Sequence, residues 1–334
     1  MTPKLELPAQ DPHQIKLLEA APSLGIIAED LREIWGMDAI RYHLGTESRL
    51  VFDGRAYPSL TAEADIICND KHITKTYFEK VGLPFPKSKV FRIDPERLDI
   101  AWLGQALSTV FHEGGTFVCK PLLGTDGHAV GMNLETLEAI QAHILEFAAF
   151  YSVWMLEVQV EGDDLRIQVI GGRIAAACIR IPARVIGNGK QSLSELIEAH
   201  NAKIQSQNPG NYLEIDGPTR QLMQEQAVEL GSVITKDREI QLKYVSNMGQ
   251  GGIAIDVSEQ LHPLYHQWAA DLSASIGIQT YALDLMCNNP ELDPQNHANG
   301  IELNPRAQWL HHTFSEVKQH DIPTMILQDL FAEG

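Results

Sequence analysis

Three oxygen-bearing side chains near the end of the chain have the spacing of a metal site: Asp284 in YALDLMC (281–287), and Glu302 with Asn304 in GIELNP (300–305). Side chains alternate along a strand, so Glu302 and Asn304 share one face while Ile301 and Leu303 point to the other. Pairing with YALDLMC would bring Asp284 to the same face. Two carboxylates and an amide oxygen, with room left for water and phosphate oxygens, suit Mg²⁺ carried on a nucleotide, with Mn²⁺ as the alternative ion. Read in isolation, Glu-x-Asn is also the pattern of a polar sheet edge.

Other segments carry groups that a nucleotide would need. Lys71, in NDK (69–71), and Lys120, which ends the apolar run TFVCK (116–120), are point charges suited to phosphate. A lysine directly after a helix cap opposes the helix dipole unless an anion shares the site, which separates Lys71 from a routine surface charge. Gly124, Gly127 and Gly131 space a loop whose bare N–H groups can approach phosphate oxygens. The loop fits neither the dinucleotide fingerprint nor the Walker lysine pattern, which argues against a Rossmann oxidoreductase and a P-loop ATPase. No Ser/His/Asp or Cys/His signature of covalent catalysis is visible. The adjacent His311 and His312 do not face one way on a helix and read as rim residues.

With 334 residues, 44% of them hydrophobic, the chain can build a substantial core in two or three packed units. Its net charge of −18 disfavours nucleic acid and anionic membranes as partners, and requires that any anion be held in a local basic pocket. No apolar run has signal-peptide or membrane-spanning length, so a cytoplasmic protein is expected. Cys68, Cys119, Cys178 and Cys287 lack metal-type Cys-x-x-Cys spacing and read as buried thiols with no special role.

The elements that must position these groups follow from period and punctuation. A helical pattern over residues 15–35 precedes short strands at 40–43 and 49–52. Asn69 or Asp70 caps a helix with Ile73, Tyr77, Phe78 and Val81 on one side, stopped by Gly82 and Pro84. A strand at 116–120 leads through the glycine loop to a helix with Leu137, Ile140, Ile144 and Phe147 on one face. A strand over 153–160 follows, then a hairpin of 165–170 and 173–181 turning at Gly171 and Gly172. Ser192 and Glu195 form a capping box for a helix over 193–203. QSQNPGNYLEIDGP (205–218) reads as a mobile loop without a packing face, followed by helices from Pro218 to Gly231 and from Pro263 to Gly277. Helices alternating with short strands and a long hairpin predict a mixed α/β or α+β protein.

In order and spacing, NDK, CKPLLGTDGHAVG (119–131), LEVQVEGDDLRIQVIGGRIAAACIRIPARVIGNGK (156–190), SNMGQGGIAID (246–256) and the oxygen-ligand segments resemble the ATP-grasp carboxylate-amine ligases. The likeness is to the ATP-grasp part of cyanophycin synthetase and of bifunctional glutathione synthetase, and runs from about residue 61 to the C-terminus. It implies an ATP-grasp fold with a small, abbreviated N-terminal α/β unit (1–68), a first lobe (69–155) and a second lobe carrying the metal and substrate site (156–334), the two lobes clasping ATP. It further implies that the glycine loop covers the triphosphate and that Lys71 and Lys120 meet phosphate. Main-chain groups of Glu157, Val158 and Val160 would form the adenine hinge, and Asp164 would bind the ribose hydroxyls. Arg180 would meet the γ-phosphate or the developing oxyanion, with Arg166 either facing the same cavity or forming a cross-strand ion pair. Asn247, with Gly251 and Gly252, would floor the amine or carboxylate pocket.

The implied reaction is attack of a substrate carboxylate on the γ-phosphate, giving an acyl phosphate that an amine converts to an amide. Expected partners are amino acids or short peptides, with a homodimer left open. Two departures concern the acceptor side: Asn208, Pro209, Gly210 and Asn211 stand where the relatives carry a basic mobile segment, and Pro305 and Arg306 follow the metal motif. No fused partner half is visible, so a preformed acid is expected as substrate. The alternatives are a glutathione-type condensation of a γ-glutamyl dipeptide with an amino acid, a nucleotide-binding regulator without turnover, and a kinase-like phosphoryl transfer.

Overall fold

The computed structural model describes residues 7–124 and 127–332. The first six residues of the polar N-terminal segment, Thr125 and Asp126 of the glycine loop, and residues 333–334 lie outside the described residues. In chain order the strands are β1 (Ile27–Asp30), β2 (Ala39–Leu44), β3 (Glu47–Phe52), β4 (Ser88–Arg92), β5 (Phe117–Pro121), β6 (Gly131–Leu134), β7 (Val153–Val158), β8 (Asp163–Ile170), β9 (Arg173–Ile181), β10 (Arg184–Ile186), β11 (Glu239–Gln241), β12 (Ile253–Asp256), β13 (Tyr281–Cys287) and β14 (Ala298–Asn304). The helices are α1 (Pro12–Ala20), α2 (Arg32–Trp35), α3 (Ala62–Asn69), α4 (Lys71–Val81), α5 (Ile100–Leu107), α6 (Leu137–Phe147), α7 (Leu193–Gln207), α8 (Gly217–Glu225), α9 (Pro263–Ile276), α10 (Pro294–His297) and α11 (Ile322–Leu330).

Local signals account for much of this. Asp70 caps α4 by accepting from the N–H groups of His72 and Ile73, and Gly82, at φ 71°, ends it. The capping box of Ser192 and Glu195 opens α7. Gly171 and Gly172, both at positive φ (59° and 69°), make the tight turn between β8 and β9. Three expectations are corrected. The pattern over 15–35 is not one helix, because Pro22 and Gly25 (φ 70°) stop it after α1 and a 3₁₀ turn, and the chain continues as β1 and the short α2. Helix α8 ends at Glu225 rather than Gly231, where the Gln226 side-chain amide caps the Leu222 and Gln241 carbonyls. The segment after α7 does have a packing face: Leu213 is fully buried, and the Asn201 side chain bonds both its N–H and its C=O.

A five-stranded antiparallel sheet in the order β12-β9-β8-β13-β14 is the centre of the molecule. Strand alternation divides it. Leu165, Ile167, Val169, Leu283, Leu285 and Leu303 point into a core closed by Trp268 of α9 and Phe78 of α4. Asp164, Arg166, Cys178, Arg180, Asp284, Glu302 and Asn304 occupy the other face. A four-stranded sheet, β4-β7-β5-β6, buries Phe117, Cys119, Trp154 and Leu156 with residues of α5 and α6. Alternation then leaves Lys120 and Glu157 on its opposite face. Strands β1 to β3 form a third antiparallel sheet, and its core with α1 is completed by α11 and Trp309. The Trp309 indole N–H lies 3.1 Å from the Tyr57 hydroxyl and 3.3 Å from the Gly54 carbonyl, and the Trp309 backbone N–H donates to His13 Nε2. Strands β10 and β11 pack with α7 and α8 around Leu193, Ile197 and Met223. Among the described residues, no helix is long and apolar enough to cross a membrane. All four cysteines are free and buried.

The approach of α4 to β14 rests on a glycine. Gly300 donates its N–H to the Pro84 carbonyl at 2.7 Å, and a Cβ at this position would lie 2.4 Å from Leu83 and 2.7 Å from the Phe78 ring. We therefore expect Gly300→Ala to destabilise the chain by about 1–3 kcal/mol through overpacking. Urea denaturation checks this, and an unchanged midpoint would show that α4 is free to shift outward.

Candidate functional site

Register brings the metal-type residues together. Asp284 is the partner of Glu302 across β14 and of Arg166 across β8. The register shifts between Asp284 and Leu285, so Ile301 is the unpaired residue of a bulge beside the site. Arg166 donates from Nε and Nη2 to the two Asp284 oxygens at 2.7 and 2.6 Å. It thus forms the cross-strand ion pair. Arg180 reaches both Asp164 Oδ1, at 2.5 Å, and Asp284 Oδ2, at 3.2 Å. The Ser246 hydroxyl donates to the other Asp164 oxygen. Burial pushes the Asp284 carboxyl up, but Arg166 and Arg180 outweigh it and hold the group at about 2.

A second cluster faces the first. Lys71 opens α4, donates to the Gly124 carbonyl at 2.9 Å and lies 3.6 Å from Glu302. The anion required beside a lysine at a helix start is therefore Glu302. Lys75, one turn later, donates to Glu157 at 2.7 Å and to the Pro86 carbonyl at 3.0 Å. Lys120 reaches the other Glu157 oxygen at 2.5 Å. Burial raises the Glu157 carboxyl, yet Lys120 and Lys75 together bring it below its ordinary value. Burial lowers Lys71 and Lys75, with the neighbouring carboxylates opposing the shift. Five cations and four carboxylates thus converge, a local positive excess in a chain of net charge −18.

Sequence reasoning missed Lys75, although its i, i+4 relation to Lys71 puts both on one side of α4. It also gave Glu157 a main-chain role. That reading is corrected: Glu157 sits within the sheet, paired to Ser88 and Val118, so its backbone is committed there and its carboxylate carries the contacts. The Val158 and Gln159 N–H groups bond the Lys87 and Thr116 carbonyls at 2.9 Å. Val160, just past the strand end, makes no hydrogen bond among the described residues. Asp164 is held by Arg180 and Ser246, and Asn247 caps a 3₁₀ turn by accepting from the Gly249 N–H at 2.8 Å. A Cβ on Gly252 would crowd the Asn247 carbonyl at 3.0 Å. Gly124 and Gly127 flank the two residues outside the described set, with Gly127 at φ 72°. His311 and His312 are not rim residues. They lie in the 3₁₀ turn Leu310–Thr313 and are 2% and 0% exposed.

The donor set can accept a hard divalent cation after one small change. Asp284 receives four N–H bonds, two from Arg166, one from Arg180 and one from the Asn304 amide, which also reaches Glu302 at 3.3 Å. These saturate a carboxylate with about four acceptor sites. A half-turn of the Asn304 amide replaces Nδ2 by Oδ1 and frees one Asp284 lone pair. Asp284, Glu302 and Asn304 would then direct three oxygens to one point.

No protein-family model matches the chain. Among curated proteins it is 29% identical to cyanophycin synthetase of Synechocystis sp. over 79% of this chain and 30% of that protein. It is 25% identical to the glutathione biosynthesis bifunctional protein of Mannheimia succiniciproducens over 88% of this chain and 39% of that protein. The chain therefore spans about a third of the length of these relatives. Among solved structures, the bifunctional glutathione synthetase from Pasteurella multocida superposes with a TM-score of 0.72 at 22% identity, over 96% of this chain and 43% of that one. The fold is the ATP-grasp fold expected from the sequence, and the resemblance to ATP-grasp carboxylate-amine ligases is supported by both comparisons.

The bridge Lys75–Glu157–Lys120 generates a stability test. Glu157→Gln leaves two buried ammonium groups without their shared anion and is expected to cost about 3–5 kcal/mol. Because the folded carboxyl sits below its unfolded value of 4.5, its stabilisation is complete above that pH and lost as pH falls through the lower folded value. Denaturation midpoints between pH 7 and 3 should show an acid limb that is shallower in Glu157→Gln. Identical limbs would remove Glu157 from the charge balance.

Proposed function

We propose that this chain is an ATP-dependent carboxylate-amine ligase that joins amino acids or short peptides by an amide bond through an acyl phosphate. The observation that carries the reading is the excess of cations gathered between two sheets, with Lys71 on the Gly124 carbonyl, in an otherwise acidic protein. Such a cluster suits a triphosphate. The similarity to cyanophycin synthetase and to the glutathione biosynthesis protein supports the same class of chemistry. The four free, buried thiols fit a reducing cytoplasmic setting.

In this reading Lys71 and Lys120 contact the phosphates, and Lys75 is a positioning residue that fixes Glu157, which in turn aims Lys120. Val158 and Val160 supply the adenine hinge at the end of β7. Asp164 takes the ribose hydroxyls, and in doing so releases Arg180 toward the γ-phosphate. Asp284, Glu302 and Asn304 would hold Mg²⁺, which supplies charge neutralisation at the phosphates when bound. The acid substrate's carboxylate oxygen attacks the γ-phosphorus as the bond to ADP breaks. An amine then attacks the acyl carbonyl and inorganic phosphate leaves. Arg180 stabilises the oxyanion of that step, and Arg166 keeps Asp284 ionised and aimed. Asn247 contributes to the floor on which the amine or carboxylate rests. The acceptor side lies toward Arg306, which pairs with Asp65 at 3.2 Å on the rim of a groove lined by Tyr57, Pro58 and Leu60.

The test is a phosphate-release screen with ATP, Mg²⁺ and pairs of amino acids or dipeptides, product masses being read directly. Phosphate together with a mass of acid plus amine minus water is the expected result. Lys120→Ala should weaken nucleotide binding by about 30-fold, corresponding to ~2 kcal/mol, and Glu302→Ala should abolish turnover with a milder loss of binding. ADP release that needs an acid but no amine would replace ligation by a kinase-like reaction, and tight ATP binding without release would favour a regulator.

A further inference from the structure

Cys178 lies on β9 as the cross-strand partner of Arg166, on the polar face of the central sheet. The 3₁₀ turn Leu310–Thr313 covers this position. Its sulfur and one ring nitrogen each from His311 and His312 all lie within 4.8 Å of one another. The three residues are 0%, 2% and 0% exposed. His311 Nε2 and both ring nitrogens of His312 make no hydrogen bond to any described residue. Each such orphan costs about 1–3 kcal/mol if nothing meets it. Burial first, and then neighbouring cationic groups, push both histidines down, His312 to about 3. Both imidazoles are therefore neutral at physiological pH and keep a lone pair to offer. Two imidazoles and a thiol are a soft donor set, unlike the hard oxygens of Asp284, Glu302 and Asn304.

We propose that Cys178, His311 and His312 form a buried three-coordinate site for one Cu(I) ion, separate from the nucleotide-associated metal position. Charge decides between soft ions. On binding, Cys178 gives its proton to solvent, and thiolate with Cu⁺ is neutral overall. Zn²⁺ with the same thiolate would leave one positive charge in the core beside Arg166 and Arg180, whose own charges are already matched by Asp284 and Asp164. Burial pushes the Cys178 thiol up to about 12, so the metal itself must drive the ionisation. Metal–sulfur and metal–nitrogen lengths of ~2.3 and ~2.0 Å set ligand separations of about 4 Å or less. Small side-chain rotations from the present spacing reach them.

The experiment is an anaerobic titration of the purified full chain with chelator-buffered Cu(I), followed by X-ray absorption. The wild type, and a variant carrying Cys68→Ala, Cys119→Ala and Cys287→Ala, should each bind one equivalent with one sulfur and two nitrogens around copper. Cys178→Ser, and separately His311→Gln with His312→Gln, should weaken binding by roughly 100-fold or more, a loss of at least ~2.7 kcal/mol. If these variants do not fold, the coordination measured in the wild type and in the three-cysteine variant decides alone. Absence of stoichiometric uptake would mean that internal water meets the orphaned nitrogens and would overturn the site. Retention of binding by Cys178→Ser, or all-sulfur coordination, would move the metal elsewhere. Zn²⁺ displacing Cu(I) at equal concentrations would overturn the charge argument.

Discussion

The bidentate pairing of Arg166 with Asp284 is the constraint on which the site depends. Both residues lie on adjacent antiparallel strands at the same level, so the sheet register itself creates the contact. Removing either partner would strand a buried charge. A third strand enters through Arg180, which shares Asp284 and carries the link on to Asp164 and Ser246. The fourth, β14, brings Glu302 and Asn304 against the same carboxylate. A slip of one residue in any of these pairings would turn its polar side chains into the apolar core.

That core explains why the polar face can be so heavily charged. The opposite side of the same strands, from Leu165 to Leu285, is sealed by α9 and α4, and it holds the strands rigid while charged groups crowd the other side. Helix α4 belongs to both systems: Phe78 enters the core, and Lys71 and Lys75 reach the two carboxylates Glu302 and Glu157. The helix is thus a physical link between the five-stranded and four-stranded sheets. Its position, set by the bare Cα of Gly300, tunes both.

Features governed by neighbouring residues were legible in the sequence. The Asp70 cap, the Ser192 capping box, the paired glycines after β8 and the alternation that joins Glu302 to Asn304 all act within a few residues. What depended on distant pairing was not. The Glu157 carboxylate gains its role only when α4 and β5 bring lysines to it from 82 and 37 residues away. His311 and His312 read as rim residues on helical geometry, whereas they lie in a 3₁₀ turn that buries both rings. Residues 15–35 misled for the opposite reason, since Pro22 and Gly25 outweigh an apolar period that would otherwise continue. The roles proposed for the glycine loop, the hinge and the metal strands come from the family resemblance, since no local rule connects segments so far apart.

The contact between Trp309 and His13 spans 296 residues. The N-terminal sheet closes its core on Trp309, Ile322 and Ile326, which are made long after it. During synthesis, at roughly 5–20 residues per second, the first sixty residues must wait roughly 10 to 50 seconds for the segment that covers them. In that interval the apolar face of the sheet lacks its cover. Synthesis of the segment that carries Trp309, Ile322 and Ile326, rather than of the sheet itself, therefore sets when this part of the molecule is covered.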